Sequence, residues 1–229
     1  MARSAAKMTG MRLVDLSHTV SDGLVTYPGL PAPAISDHLS FEGSHEVYAE
    51  GTEFCIGRIE MVSNTGTYLD TPGHRHRGRH DLSGLPLEKC ALLPAVVVDG
   101  PATGAVEVSA FEGLDVDGAA VLVRTGWSAH FGTEQYGAPE HPFLATDAAQ
   151  WLADAGAVLV GIDSVNIDDT RAGVRPVHTL LLDREIPVVE HLTALDLLPH
   201  TGATFTAVPV KVAGMSTFPV RAFASLIGG

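Results

Sequence analysis

An α/β fold with mixed strands is predicted for this chain on three observations. Val-rich apolar runs bounded by Gly, at residues 91–99, 119–124 and 157–163, have the near-continuous hydrophobicity of strands buried on both faces. Between the second and third lies a segment, residues 146–156, with the punctuation of a helix. The chain is also rich in loop formers, 24 Gly and 14 Pro in 229 residues, which suits a site assembled from loop residues.

Taken in order, residues 12–16 read as a short first strand. Residues 21–35 carry Pro28, Pro31, Pro33, Gly23 and Gly29 and read as a long loop; loops of that length in a compact domain are usually functional. Rough alternation over 54–63 predicts a strand. Residues 64–74 follow as a turn, held by Gly66, Pro72 and Gly73. The apolar runs at 91–99 and 119–124 are the next strands. The helix at 146–156 has Thr146 to cap it, Asp147 in its first turn and Gly156 to close it. With the strand at 157–163 it makes a strand–helix–strand passage. A short helix at 177–183, a strand at 186–190 and a late strand at 205–212 complete the reading. Nothing marks an internal repeat or a second domain, so residues 11–229 are expected to form one domain after a disordered lead-in at 1–10. That lead-in lacks the apolar stretch of a signal peptide.

The formal charge of -13 argues against nucleic acid or an anionic membrane surface as partner. No apolar run approaches the ~18 residues of a membrane span. Cys55 and Cys90 are the two thiols, too few for a disulfide framework and consistent with a cytoplasmic protein. The net charge says little about a small-molecule substrate, because a local pocket can differ in sign from the whole.

The stretch richest in chemistry is Asn64-Thr65-Gly66-Thr67-Tyr68-Leu69-Asp70-Thr71-Pro72-Gly73-His74. It gathers an amide, a phenol, a carboxylate and an imidazole in one turn, with Pro72 to stiffen it. Downstream, His178 and Glu190 stand twelve residues apart, in Pro-Val-His-Thr-Leu-Leu and Ile-Pro-Val-Val-Glu. Smaller motifs are Leu16-Ser17-His18, Tyr27-Pro28-Gly29, Leu122-Val123-Arg124-Thr125-Gly126-Trp127 and Gly161-Ile162-Asp163-Ser164.

In these motifs and their order the chain resembles the cyclase family, which includes bacterial kynurenine formamidases and isatin hydrolases. The family pattern is His-x-Gly-Thr-His-x-Asp-x-Pro-x-His, and the resemblance runs from the first strand to Glu190. It implies a swivelling β/β/α three-layer fold and a homodimer or homotetramer. It also implies metal ligands at Asp70, His178 and Glu190, with His74 as the acid/base. The chain departs from the pattern at Asn64 and Tyr68, which stand where the family has two metal-binding His. An amide oxygen and a neutral phenol are poor replacements for imidazole on zinc.

The remaining set, one imidazole and two carboxylates, would suit one divalent ion, zinc or manganese; the other reading of the site is metal-free. In the first, the protein hydrolyses an amide, lactam, formamide or ester carbonyl with His74 moving the proton. In the second, it is a metal-independent cyclase, dehydratase or isomerase using His74, Tyr68 and a carboxylate. A third reading is a catalytically silent ligand-binding homologue. Asn64, Arg75, Tyr27 and Trp127 are the expected substrate contacts, Arg75 because its planar fork fits a carboxylate. The other basic residues after His74, from His76 to His80, read more simply as a solvated loop. No Gly-x-Ser-x-Gly elbow, phosphate loop or dinucleotide fingerprint is present.

Overall fold

A computed structural model describes residues 10–227. The lead-in expected at 1–10 lies, but for Gly10, outside the described residues. The first element among the described residues is β1 (Met11–Asp15). A separate antiparallel ribbon of β2 (Ala34–Leu39) and β3 (Ile56–Glu60) follows, with the single turn α1 (Phe41–Ser44) between them. Next come β4 (Tyr68–Asp70), β5 (Leu93–Asp99), β6 (Ala105–Val106), β7 (Ala120–Arg124) and β8 (Phe143–Leu144). Then helix α2 (Thr146–Asp154), β9 (Leu159–Ile162), helix α3 (Pro176–Asp183) and β10 (Val188–Glu190) alternate. The chain closes with β11 (Ala203–Thr206), β12 (Thr217–Pro219) and β13 (Phe223–Ile227).

Nine of these strands form one mixed sheet in the order β1-β13-β11-β5-β7-β9-β10-β4-β12. Its centre, β5-β7-β9-β10, is parallel, and the flanking pairs are antiparallel. β12 and β13 lie near opposite ends of that order yet are joined by the short link 220–222, so the sheet must curl back on itself. Just past the end of β1, the backbone meets the segment after β10 and holds the curl: Thr193 N donates to Leu16 O at 3.0 Å, and Ser17 bridges to Leu192.

Alternation along the central strands divides the core in two. Ala95, Val97, Leu122 and Leu159 face the inside of the curl, where they meet Val14, Leu69 and Ala224 from its two ends. Val96, Val98, Val121, Val123 and Ile162 face outward under the helices. There α2 buries Ala148, Ala149 and Leu152, and α3 buries Val177, Leu181 and Leu182, the spacing of one helical face. Each buried Leu contributes roughly 1.5–3 kcal/mol relative to exposure. The fold is thus α/β, a large curled sheet with a few helices against it. Among the described residues no helix is long and apolar enough to cross a membrane.

Several expectations need adjusting. The N-cap of α2 is Ala145, not Thr146, and it makes no side-chain cap bond; Gly156 does close the helix, at φ +88°. The strand at 54–63 is present as β3, but it is exposed and pairs only with β2, a strand not expected from the sequence, whose first two residues fall at the end of the long loop. The late strand ends at Thr206, so 207–212 is irregular. Most consequential is residues 64–74. Its middle is not turn but β4, fully buried and paired on both sides, with β10 and with β12.

Candidate active site

The β4–β10 register sets Tyr68 directly opposite Glu190 and Asp70 opposite Val188, while β12 places Thr217 opposite Asp70 on the other side. Immediately after β4, Pro72–His74 forms a 3-10 turn, with Pro72 in its first turn, where its missing N–H is tolerated. This turn packs on α3, whose His178 points back at the strand ends. Three residues from three elements therefore converge: Asp70, His178 and Glu190 each offer a ligand atom, and those atoms lie within 4.8 Å of one another. The Nε2 atom of His178 is 3.6 Å from Asp70 Oδ2 and 3.5 Å from Glu190 Oε1.

His178 is held in that pose by a residue the sequence reading did not select. Asp168, fully buried, accepts from His178 Nδ1 at 2.6 Å and from the backbone N–H groups of Val177 and His178 at 2.7 and 3.0 Å. One carboxylate thus orients the imidazole and satisfies two donors that the start of a helix leaves unpaired. Glu190 is fixed similarly. Its Oε1 accepts from Ile167 N at 2.6 Å and its Oε2 from the Tyr68 hydroxyl at 2.5 Å.

Asp70 differs. Its Oδ1 accepts from Thr217 Oγ1, but its Oδ2 is buried with no hydrogen-bond partner. Leaving a buried carboxylate oxygen unpaired is costly, and this one faces the other two ligand atoms.

Charge reinforces the picture. Burial disfavours a protonated imidazole at His178, but Glu190, Asp168 and Asp70 outweigh it and hold its pKa near 10. Burial and the neighbouring Asp70 push Glu190 up to about 7, against the pull of His178. For Asp70, burial is outweighed by His74, His178 and Thr217, which keep its carboxyl below the ordinary range. Such a cluster binds positive charge, and a divalent cation would take the place of the shared proton. The donor set and the orphaned oxygen both fit a metal ion.

Thr217 also meets His74, whose Nδ1 lies 2.8 Å from its Oγ1. The hydroxyl has one proton, and an ionised Asp70 can only accept, so Thr217 donates to Asp70 and accepts from His74 Nδ1–H. That leaves the lone pair of His74 on Nε2. The Tyr68 phenol is in a different position. Burial, then the charges of Glu190 and Asp70, hold its pKa well above the ordinary value, so it stays protonated and its hydroxyl donates to Glu190 Oε2.

A cavity of about 340 Å³ opens above these groups. Asn64, Tyr68, His74, Arg75, His178 and Glu190 line it, and Tyr27, Pro28, Gly29 and Leu30 of the long loop form its wall. Asp70 lies beneath, fully buried. Trp127 does not reach the cavity: it is buried against Tyr136 and Val165 with Tyr27 packed on that cluster, and its Nε1 donates to Tyr136 O at 2.9 Å. The basic run after His74 is partly tied down, since Arg79 pairs with Asp183 and Glu185 and His80 with Glu185. Asn166 and Arg175 also line the cavity. With Asp168 and Thr217, these were not singled out from sequence. An acid-rich run, Asp163 to Asp169, lies just before the His178 helix and was the available signal for Asp168.

The model of the Cyclase family ("Putative cyclase") matches residues 14–169, more than half of the chain. The chain belongs to the cyclase family. The kynurenine formamidase of Salinibacter ruber is 27% identical over 216 residues, covering 93% of this chain and 96% of that one. The structure of isatin hydrolase A from Ralstonia solanacearum superposes with a TM-score of 0.80 at 24% identity, covering 94% of this chain and 92% of that one. A structure described as a "Potential Metal-Dependent Hydrolase With Cyclase Activity" gives a TM-score of 0.76 at 25% identity, with coverages of 94% and 98%. For this cyclase-family member, the curled sheet and the long loop together frame the cluster around Asp70.

Proposed function

We propose that the protein is a metal-dependent hydrolase of a small amide, lactam, formamide or ester. In this reading Asp70, His178 and Glu190 hold one divalent ion, zinc or manganese, and His74 moves the proton. The observation that carries it is the buried, partnerless Oδ2 of Asp70 facing His178 Nε2. Support comes also from relatives named kynurenine formamidase and isatin hydrolase, both of which open a C–N bond to a carbonyl. When bound, the ion supplies Lewis-acid polarisation of the carbonyl and lowers the pKa of a water.

The chain's own residues supply the rest. His74 Nε2, at the cavity edge, takes a proton from the attacking water and returns it to the leaving nitrogen or oxygen. Thr217 and Asp70 keep its other nitrogen protonated, so Nε2 is always the basic one. Tyr68 orients Glu190 through its hydroxyl, a role that consumes the proton a metal-independent mechanism would ask of it. Asn64 and Tyr27 contact the substrate, and Trp127 backs Tyr27 from behind. The exposed Ile35, Ile56 and Ile59 of the β2–β3 ribbon, with Phe54 just before it, support a homodimer or homotetramer. Free thiols at Cys55 and Cys90 support a cytoplasmic setting.

The test is hydrolysis of a panel of formanilides, anilides, lactams and aryl esters by protein stripped with chelator and then reloaded with zinc or manganese. Activity should vanish on stripping, return on reloading, and fall by ~10²-fold or more in His74→Ala. Undiminished activity in stripped protein would sink the reading.

A further inference from the structure

Two guanidinium groups stand at the mouth of the cavity with no acid to pair with. Arg75 and Arg175 line both the 340 Å³ cavity and a larger open groove of about 1000 Å³ outside it, so they stand where the two meet. Among the described residues, neither has a carboxylate within salt-bridge distance. Three nearby arginines do, though Arg77 does not: Arg79 is taken by Asp183 and Glu185, Arg171 by Asp169, and Arg184 by Asp154. Asp183, which also lines the groove, is thereby occupied elsewhere.

Neutral groups nevertheless hold both arginines in place. Arg75 Nε donates to Thr179 Oγ1 at 2.9 Å, and that hydroxyl in turn donates to Arg175 O at 2.6 Å. Arg175 Nη1 donates to Ala172 O at 2.6 Å, Val174 O at 2.9 Å and Asp169 O at 3.3 Å. These bonds use one nitrogen of each fork. The Nη1 and Nη2 groups of Arg75, and the Nε and Nη2 groups of Arg175, retain unused donors. A positioned, unpaired pair of forks is an unusual arrangement in a chain of net charge -13, and it matches the geometry of a carboxylate.

From this we infer that Arg75 and Arg175 form an anion clamp, and that the substrate carries a carboxylate on the side away from the scissile carbonyl. The inference rests on the hydrolase reading for the reaction but not for the binding. The cavity is at the small end for ligand sites, so the substrate is a single-ring acid. Its ring lies against Tyr27, Pro28 and Leu30, its scissile carbonyl sits over His178 and Glu190, and its carboxylate meets the two arginines. The reaction itself then adds water across the C–N or C–O bond, the oxygen joining the carbonyl carbon and the proton leaving with the amine or alcohol.

The experiment compares formanilide with its ring carboxylates (ortho, meta and para) on the metal-loaded enzyme, in the parent, Arg75→Leu, Arg175→Leu and Arg175→Lys. The parent should favour at least one carboxylate in kcat/KM by tenfold or more, mainly through KM. Each Leu variant should narrow that ratio by about tenfold, and Arg175→Lys by less, because charge remains while the fork is lost. No preference in the parent, or a preference that both Leu variants keep, overturns the clamp. If none of these compounds is turned over, formanilides are not its substrates, and the clamp is read by thermal shift with benzoate against benzamide. Stabilisation by benzoate alone, lost in the Leu variants, supports it. Equal effects of the two compounds, or a benzoate effect that the variants retain, overturn it.

Discussion

Replacing Asp168 with Ala should damage stability and metal binding together. Its carboxylate accepts three hydrogen bonds in a fully buried position, from Val177 N, His178 N and His178 Nδ1. Loss of a side-chain acceptor at a helix start costs ~1 kcal/mol, and a buried imidazole N–H left without a partner about 1–3 kcal/mol. With two backbone donors affected, the total is roughly 3–5 kcal/mol. At about 2–4 °C per kcal/mol for a domain of this size, the melting temperature should fall by roughly 10 °C. The freed imidazole also loses its orientation, and loss of such a partner typically weakens metal affinity by about 10–100-fold. Asp168→Asn, which keeps one acceptor, should fall between the two. The assays are thermal unfolding of metal-free protein and a calorimetric zinc titration. A melting temperature within about 2 °C of the parent would refute the structural argument. An unchanged zinc affinity would refute the claim that Asp168 aims His178 at the site.

Three further outcomes follow. Acid should destabilise the fold through His18, which stacks on Phe131 and whose pKa burial lowers to about 4; the unfolded chain binds its proton near 6.5, so stability is whole above that pH and is lost as pH falls toward 4. Allowing for its partial exposure, the parent should lose about 2 kcal/mol relative to His18→Phe over that window in urea unfolding, and parallel curves would contradict this. Gly73→Ala should destabilise by about 1–3 kcal/mol in the same assay, because its Cβ would meet Ser216 Oγ at 2.5 Å and the backbone oxygen of His80 at 2.8 Å; a neutral effect would mean the turn before His74 is not held as described. The double variant Asn64→His/Tyr68→His should bind zinc or manganese with higher stoichiometry than the parent, and equal metal content by elemental analysis would show that the two departures do not limit binding.

The parts of the fold legible in sequence are those whose signal is local. β5, β7 and β9 announce themselves because burial on both faces demands unbroken apolar runs, and α3 because Pro176 and its apolar face lie within one segment. β4 and β12 are three residues each, too short for any period, and they are strands only because partners distant in sequence pair with them. The site divides in the same way. Asp70, His74, His178 and Glu190 could be picked from motifs and spacing. Thr217 bonds Asp70 across 147 residues, and Arg175 earns attention only once its charge is seen to lack an acid, so neither has a sequence signature. Trp127, placed at a strand end, was expected on the pocket wall; the fold puts one aromatic layer between them.

The proposed chemistry depends on a single ion held by Asp70, His178 and Glu190. The direct measurement is a zinc or manganese titration of chelator-stripped protein by calorimetry, alongside Asp70→Ala and Glu190→Gln, with folding of each checked by circular dichroism. One ion per chain in the parent, absent from both variants, is the predicted result. No binding in the parent, or binding that survives both substitutions, would contradict the account.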